Sequence, residues 1–273
     1  MSKILVAALY LFVDLSDCEG LRIPILRKAS LNGIKGTILL AKEGINGTVA
    51  GSEKELRSFL SYLRGLPPFT QLEHKESWTS SMPFQKMKVK LKEEIVTLGV
   101  DGVDPLSKVG TYVSASEWNK LIEREDVVLV DTRNDYETSI GTFKGAVDPN
   151  TRSFKEFPEW ALNHLDKTQP VAMFCTGGIR CEKATSYLLE QGFDQVYHLK
   201  GGILKYLEEI PKEKSLWEGS CFVFDERVSV NHELNQDVYE LCEGCGHPVL
   251  PDKPEEGHHR EHCSLFGSNN GQS

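Results

Sequence analysis

Residues 172–184, AMFCTGGIRCEKA, set a cysteine, Cys175, at the end of an apolar run, with a glycine-rich loop behind it and Cys181 six residues on. A thiol attacks as its thiolate, and backbone N–H groups pointing inward from a loop at the start of a helix stabilise that anion. Thr176, Gly177, Gly178 and Ile179 supply such a loop, and its two glycines let the backbone curl with no side chain in the way. Arg180 adds a permanent positive charge, and a helix beginning near Cys181 would present its positive end. Cys175 is therefore a candidate nucleophile in an anion cradle. The plainer reading is a core cysteine at the end of a buried strand. Cys181 either replaces a helix-capping hydroxyl or serves as a thiol that resolves an oxidised Cys175 as a disulfide.

Three further clusters carry chemistry. Asp131 and Arg133, at the end of a neighbouring strand, could orient the cysteine loop through a charge-assisted pair or form a plain structural ion pair. Lys42, Glu43, Asn46 and the lysines of PFQKMKVKLK (83–92) are candidate phosphate contacts, with Phe84 and Trp78 available to stack on bases. Lys86, Lys88, Lys90 and Lys92 alternate, so a strand would put them on one side as a positive stripe, or simply as a solvated face. Near the C-terminus, Cys242-x2-Cys245 is followed by His258, His259, His262 and Cys263. Thiolate pairs at that spacing bind zinc, and His259 or His262 with Cys263 would complete a tetrahedral site; an unmetallated tail is the other reading.

The elements that must position these groups can be read from periodicity. An apolar run at 3–13 reads as a strand, 18–32 as a helix ended by Asn32-Gly33, 36–41 as a strand, KEGIN as a turn and GTVAG as a short strand. Ser52 and Glu55 open a helix whose apolar face is Leu56, Phe59, Leu60 and Leu63, and Pro67-Pro68 stops it. Two more strand candidates, at 71–77 and 87–98, suggest a ferredoxin-like (acylphosphatase-like) α+β domain over 1–98. Residues 99–111 are rich in Gly, Asp and Pro and read as a linker. From 112 to 215, strands at 127–133, 170–175 and 195–202 alternate with helical patterns, which favours an α/β doubly wound parallel sheet with sites at the C-terminal strand ends. Cys175 falls at such an end. Residues 216–273 read as a short-segmented knuckle and a polar tail.

Composition narrows the classes. Seven cysteines in a chain with no secretion signal point to a reducing, cytoplasmic compartment. The N-terminal apolar run is broken by Asp14 and too short to span a bilayer, so no membrane partner is expected. The net charge of −9 is uneven, +3 over residues 1–108 and −12 over the rest, which leaves room for a basic patch on the first part. Neither a facial-triad His-x-Asp nor a Gly-x-Gly-x-x-Gly follows a strand, so no cofactor is evident.

Cys175 to Arg180 resembles the active-site loop of rhodanese domains, as do VDTRNDYE (130–137), GTFKGAVD (141–148) and HLKGGILKY (198–206). The four residues between Cys175 and Arg180 match the short loop of sulfur-handling rhodaneses rather than that of their phosphatase relatives. With GTILLAKEGINGTVAG before this part and WEGSCFVFDERV after it, the chain from about 3 to 250 is similar to the bacterial-type tRNA uridine-34 hydroxylases. That resemblance implies oxygen-dependent conversion of the wobble uridine to 5-hydroxyuridine, with molecular oxygen as cosubstrate and the tRNA anticodon loop as partner. It also implies a second Cys-x-x-Cys near the C-terminus, where this chain has Arg260 in place of the first cysteine. The competing functions are a sulfurtransferase carrying a persulfide on Cys175, and a nonenzymatic RNA-binding protein with a vestigial rhodanese fold.

Overall fold

The computed structural model describes residues 3–253 and Cys263; His258, His259, Arg260 and His262 lie outside the described residues, as does the polar tail. The first domain is built from β1 (Ile4–Phe12), α1 (Cys18–Leu31), β2 (Lys35–Ala41), β3 (Gly44–Ser52), α2 (Glu53–Arg64), β4 (Glu73–Thr79) and β5 (Met87–Leu91). Asp17 caps α1 by accepting from the Gly20 N–H at 2.8 Å, and Ser52 caps α2 by accepting from Glu55. The sheet runs β4-β1-β3-β2-β5, antiparallel except for the β2–β5 edge pair. Leu5, Ala7 and Leu9 alternate with outward residues along β1 and pack, with Ile38 and Leu40, against Leu56, Phe59, Leu60 and Leu63 of α2. The helices cover this face alone.

The other face of the sheet carries no helix. Register places Tyr10 opposite Asn46, Ala8 opposite Thr48 and Lys75, Thr37 opposite Lys88, and Leu39 opposite Lys90, so all of these share it. The lysines at 88 and 90 thus extend one edge of this open face. Trp78 does not: it pairs with Leu5 and packs on the helix-side core, so its expected role as a stacking platform is corrected. β5 ends at Leu91, well short of the strand expected through residue 98.

The second domain comprises β6 (Thr111–Val113), α3 (Ala115–Ile122), β7 (Val128–Asp131), α4 (Asp135–Thr138), β8 (Gly141–Phe143), α5 (Phe157–His164), β9 (Val171–Phe174), α6 (Ile179–Glu190), β10 (Val196–Leu199) and α7 (Gly202–Glu209). Its sheet is parallel, ordered β6-β10-β9-β7. Helices α3 and α7 bury Trp118, Ile203 and Tyr206 on one side, while α5 and α6 bury Phe157, Ala184 and Leu188 on the other. This is the doubly wound arrangement expected from the alternation of strands and helices.

The connecting segments are packed. Leu98 and Val103 enter the α5/α6-side core, and the Gly110 N–H donates to the Thr185 hydroxyl at 3.1 Å. After α7, β11 (Trp217–Gly219) pairs with β8, and β12 (Cys221–Phe222) with β13 (Ser229–Val230), so Trp217, Cys221 and Val230 join the α3/α7-side core of the second domain. Among the described residues, β14 (Glu240–Leu241) and β15 (Pro248–Val249) form a separate two-stranded knuckle. Among the described residues, no helix is long and apolar enough to cross a membrane.

Candidate active site

Cys175 follows β9 directly, and its loop is held from below by α7. The N–H groups of Ile203 and Leu204 donate to the carbonyls of Cys175 and Thr176 at 3.0 and 3.1 Å. Gly202 sits so close that a Cβ there would lie 2.5 Å from the Cys175 carbonyl oxygen. Gly178 opens α6 at φ +101°, and a Cβ on it would come within 2.8 Å of the Tyr10 hydroxyl. Two glycines thus allow the loop to be clamped between its own domain and the first.

The Gly178 N–H donates to Cys175 Sγ at 3.1 Å. Burial by itself pushes the Cys175 thiol up; the Cys181 thiol, the Arg180 guanidinium and the backbone N–H groups of Cys181 and Gly178 outweigh it and bring the pKa down to about 6. Cys181 moves the other way, raised by its complete burial and by the charge on Cys175, with Thr132 Oγ1 3.4 Å from its sulfur. One thiol of the pair is thus set to ionise and the other to stay protonated. Both cysteines are free thiols.

Arg180 is fixed by a residue that sequence reasoning did not single out. Glu137, fully buried at the C-terminal half of α4, accepts from both terminal nitrogens of Arg180 at 2.7 and 2.6 Å and also from Thr176 Oγ1. Burial pushes its carboxyl up, but Arg180 and Arg133 overcome that and hold it below its usual range. Asp131 and Arg133 pair with each other, at 2.6 Å, with Arg133 also donating to the carbonyls of Glu137 and Gly141. Of the two readings of this pair, the geometry matches the structural ion pair: Asp131 and Arg133 brace α4 and β8 behind Glu137. Glu137 does lie within the VDTRNDYE block, but its spacing there carried no signal that it would reach Arg180.

A cavity of about 540 Å³ opens over Cys175 between the domains. One wall is the cysteine loop; the opposite wall is the helix-free sheet face, with Tyr10, Thr37, Leu39, Asn46, Thr48 and Lys75. Phe84 lines it, as does Phe224, which is 58% exposed and lies 5.9 Å from the Arg180 guanidinium. Arg227, paired with Asp225, donates to Ser77 Oγ at 2.8 Å and ties the β12–β13 hairpin to the first domain.

The remaining candidates separate. Asn46 lines the cavity and donates to the Ile95 carbonyl. Lys42, Lys86 and Lys88 are exposed. Glu43 is not placed as an RNA contact: with Glu94 it grips the buried Lys183 of α6, as an ion-paired strut between the domains. In the knuckle, the sulfurs of Cys242, Cys245 and Cys263 all lie within 4.8 Å of one another, and Cys242 and Cys263 are 3.6 Å apart. Tetrahedral zinc thiolates place sulfurs about 3.8 Å apart, so three corners of a metal site fit. His262, the expected fourth, is outside the described residues.

Comparison with known proteins places these features. Residues 4–95 match the UPF0176 acylphosphatase like domain, and residues 114–209 match the rhodanese-like domain. A protein of Agrobacterium fabrum called tRNA uridine(34) hydroxylase is 58% identical over 93% of this chain and 83% of its own length. Another of that name, from Bartonella bacilliformis, is 56% identical over 96% and 87%. Among solved structures, a rhodanese-like domain protein from Staphylococcus aureus is 29% identical over 35% of this chain and 90% of its own, with a TM-score of 0.31.

Proposed function

This chain belongs to the tRNA uridine(34) hydroxylase family, and from that premise we propose that it converts uridine 34 of tRNA to 5-hydroxyuridine with Cys175 as the nucleophile. The observation that carries this reading is the low-pKa thiol facing a cavity shared by both domains, large enough for a nucleotide. The Cys175 thiolate adds to C6 of the uracil ring, forming an S–C6 bond and moving the C5=C6 electron pair toward C5 and O4. C5 becomes electron-rich and forms a C–O bond with molecular oxygen, and two electrons and two protons from a small-molecule thiol reductant then cleave the O–O bond, releasing one oxygen atom as water and leaving a hydroxyl on C5. Loss of the C5 proton and of the sulfur then restores the double bond.

The anticodon loop enters from the side of the first domain's open face, with Phe84 and Phe224 as stacking surfaces and the exposed Lys88 and Lys90 at its edge as phosphate contacts. Lys42 and Lys86 would add phosphate contacts near that edge. Zinc bound by Cys242, Cys245 and Cys263 would brace the knuckle, with His259 or His262 as the fourth ligand. A tRNA substrate puts this activity in the cytoplasm.

Nucleoside mass spectrometry of tRNA from cells lacking the protein tests the reading. The expected result is loss of 5-hydroxyuridine derivatives, restored by the wild type and not by Cys175→Ala. Restoration by Cys175→Ala at the normal level would remove Cys175 from the chemistry. Catalysis of thiocyanate formation from thiosulfate and cyanide, with no change in tRNA nucleosides, would favour the sulfurtransferase.

A further inference from the structure

Lys75 is a cation whose place in the cavity nothing so far explains. It rises from β4 on the helix-free face, lines the cavity beside Cys175, and passes the N-cap of α7, where a Cβ on Gly201 would be 3.5 Å from its Cε. Among the described residues its ammonium has no hydrogen-bond or ion-pair partner; Nζ rests 4.4 Å from the centre of the Tyr10 ring. The nearby carboxylate of Glu182 is already engaged by the Tyr10 hydroxyl at 2.7 Å. An unpaired ammonium held over an aromatic face in a partly dry cavity is a receptor for an anion or a carbonyl oxygen.

We propose that Lys75 is a catalytic residue, whose ammonium binds O4 of the target uracil and stabilises the negative charge that leaves Cys175 Sγ when the thiolate adds to C6. The proposal rests on the C6-addition reading above and covers that step alone. The sulfur lone pair forms the S–C6 bond, the C5=C6 pair becomes the C4=C5 pair of an enolate, and the charge comes to rest on O4. No electrons are lost or gained, so no oxidant is needed. An enolate oxygen is a much stronger acceptor than the carbonyl it came from, so a fixed ammonium favours the adduct over the free base.

Burial lowers the Lys75 ammonium to about 8, against the opposing pull of Glu182, Cys175 and Glu73 and with Lys205 adding to the lowering. Tyr10 and Tyr112, the other titratable groups around it, are raised and stay neutral in that range. With the Cys175 thiol lowered to about 6, both groups are charged between those values.

Hydrogen exchange at C5 isolates this step. Reversible addition lets solvent protonate C5 of the enolate, so anaerobic incubation of tRNA in D2O with the full-length protein should put deuterium on C5 of uridine 34, read by mass spectrometry of the anticodon oligonucleotide. Wild type should exchange it, Cys175→Ser should not, and Lys75→Met should slow it by about 100-fold, the usual cost of one oxyanion donor. Lys75→Arg should keep most of the rate and move the alkaline limb of the pH profile above its wild-type position near 8. Melting temperatures and tRNA binding of both variants establish that they are folded. Exchange by a folded, tRNA-binding Lys75→Met at the wild-type rate would overturn the role of Lys75 while leaving Cys175 in place. No exchange by a wild type that still hydroxylates tRNA in air would overturn C6 addition and the Lys75 role together.

Discussion

Glu137→Ala would test whether the cysteine loop is held as described. The carboxylate is wholly inaccessible and makes two short charge-assisted bonds to Arg180, which is itself only 7% exposed. Alanine leaves that guanidinium buried without its counter-charge, which costs about 3–5 kcal/mol. At roughly 2–4 °C per kcal/mol for a chain of this size, the melting temperature should fall by about 6–20 °C. Glu137→Gln keeps a hydrogen-bond acceptor and the volume, so it should fall less. The sign with pH follows from the lowered folded-state pKa of Glu137: its contribution is fully present above the unfolded value of about 4.3 and is lost as pH falls through the folded value. The gap between wild type and Glu137→Gln should therefore narrow on acidification below about pH 4. Differential scanning fluorimetry across pH reads both, with Asp126→Asn in the exposed Arg124 pair as a control that leaves the midpoint unmoved. A melting temperature for Glu137→Ala within 2 °C of wild type would refute the account of Arg180 as a buried, singly anchored cation.

Iodoacetamide should alkylate Cys175 with a rate that rises through pH about 6, as the thiolate forms, while Cys181 stays unmodified; a midpoint near 8.5, the value of a free thiol, would contradict the cradle. Lys183→Met should cost about 1–3 kcal/mol and increase limited proteolysis in residues 92–110, because it removes the hydrogen bonds to Glu43, Glu94 and the Val96 carbonyl that hold the domains together. Purified protein should carry one zinc per chain by elemental analysis, reduced by at least half in Cys242→Ser; a metal-free wild type purified without chelators would remove the metal from the knuckle.

The local pieces are legible along the chain. The apolar run at 3–13 marks a strand, and the 3.6-residue spacing of Leu56, Phe59, Leu60 and Leu63 fixes which helix face must be buried, because an apolar stripe has only one way to leave water. The strand–loop–helix around Cys175 was equally legible, since two glycines, an arginine and a following helix are a local backbone instruction. Tertiary structure decided what faces that loop. Glu137 lies 43 residues from Arg180 and Lys75 a hundred residues from Cys175, and no periodicity relates either pair. Glu43 and Lys88 look alike as candidate RNA contacts along the chain, yet docking of the domains turns one toward Lys183 and leaves the other exposed. Trp78 and Lys75 are three residues apart on one strand and end on opposite faces of the sheet, the first against the helices and the second in the cavity. The physical reason is that a strand's alternation says which residues share a face, while only the packing of helices on one side and the second domain on the other says what each face meets.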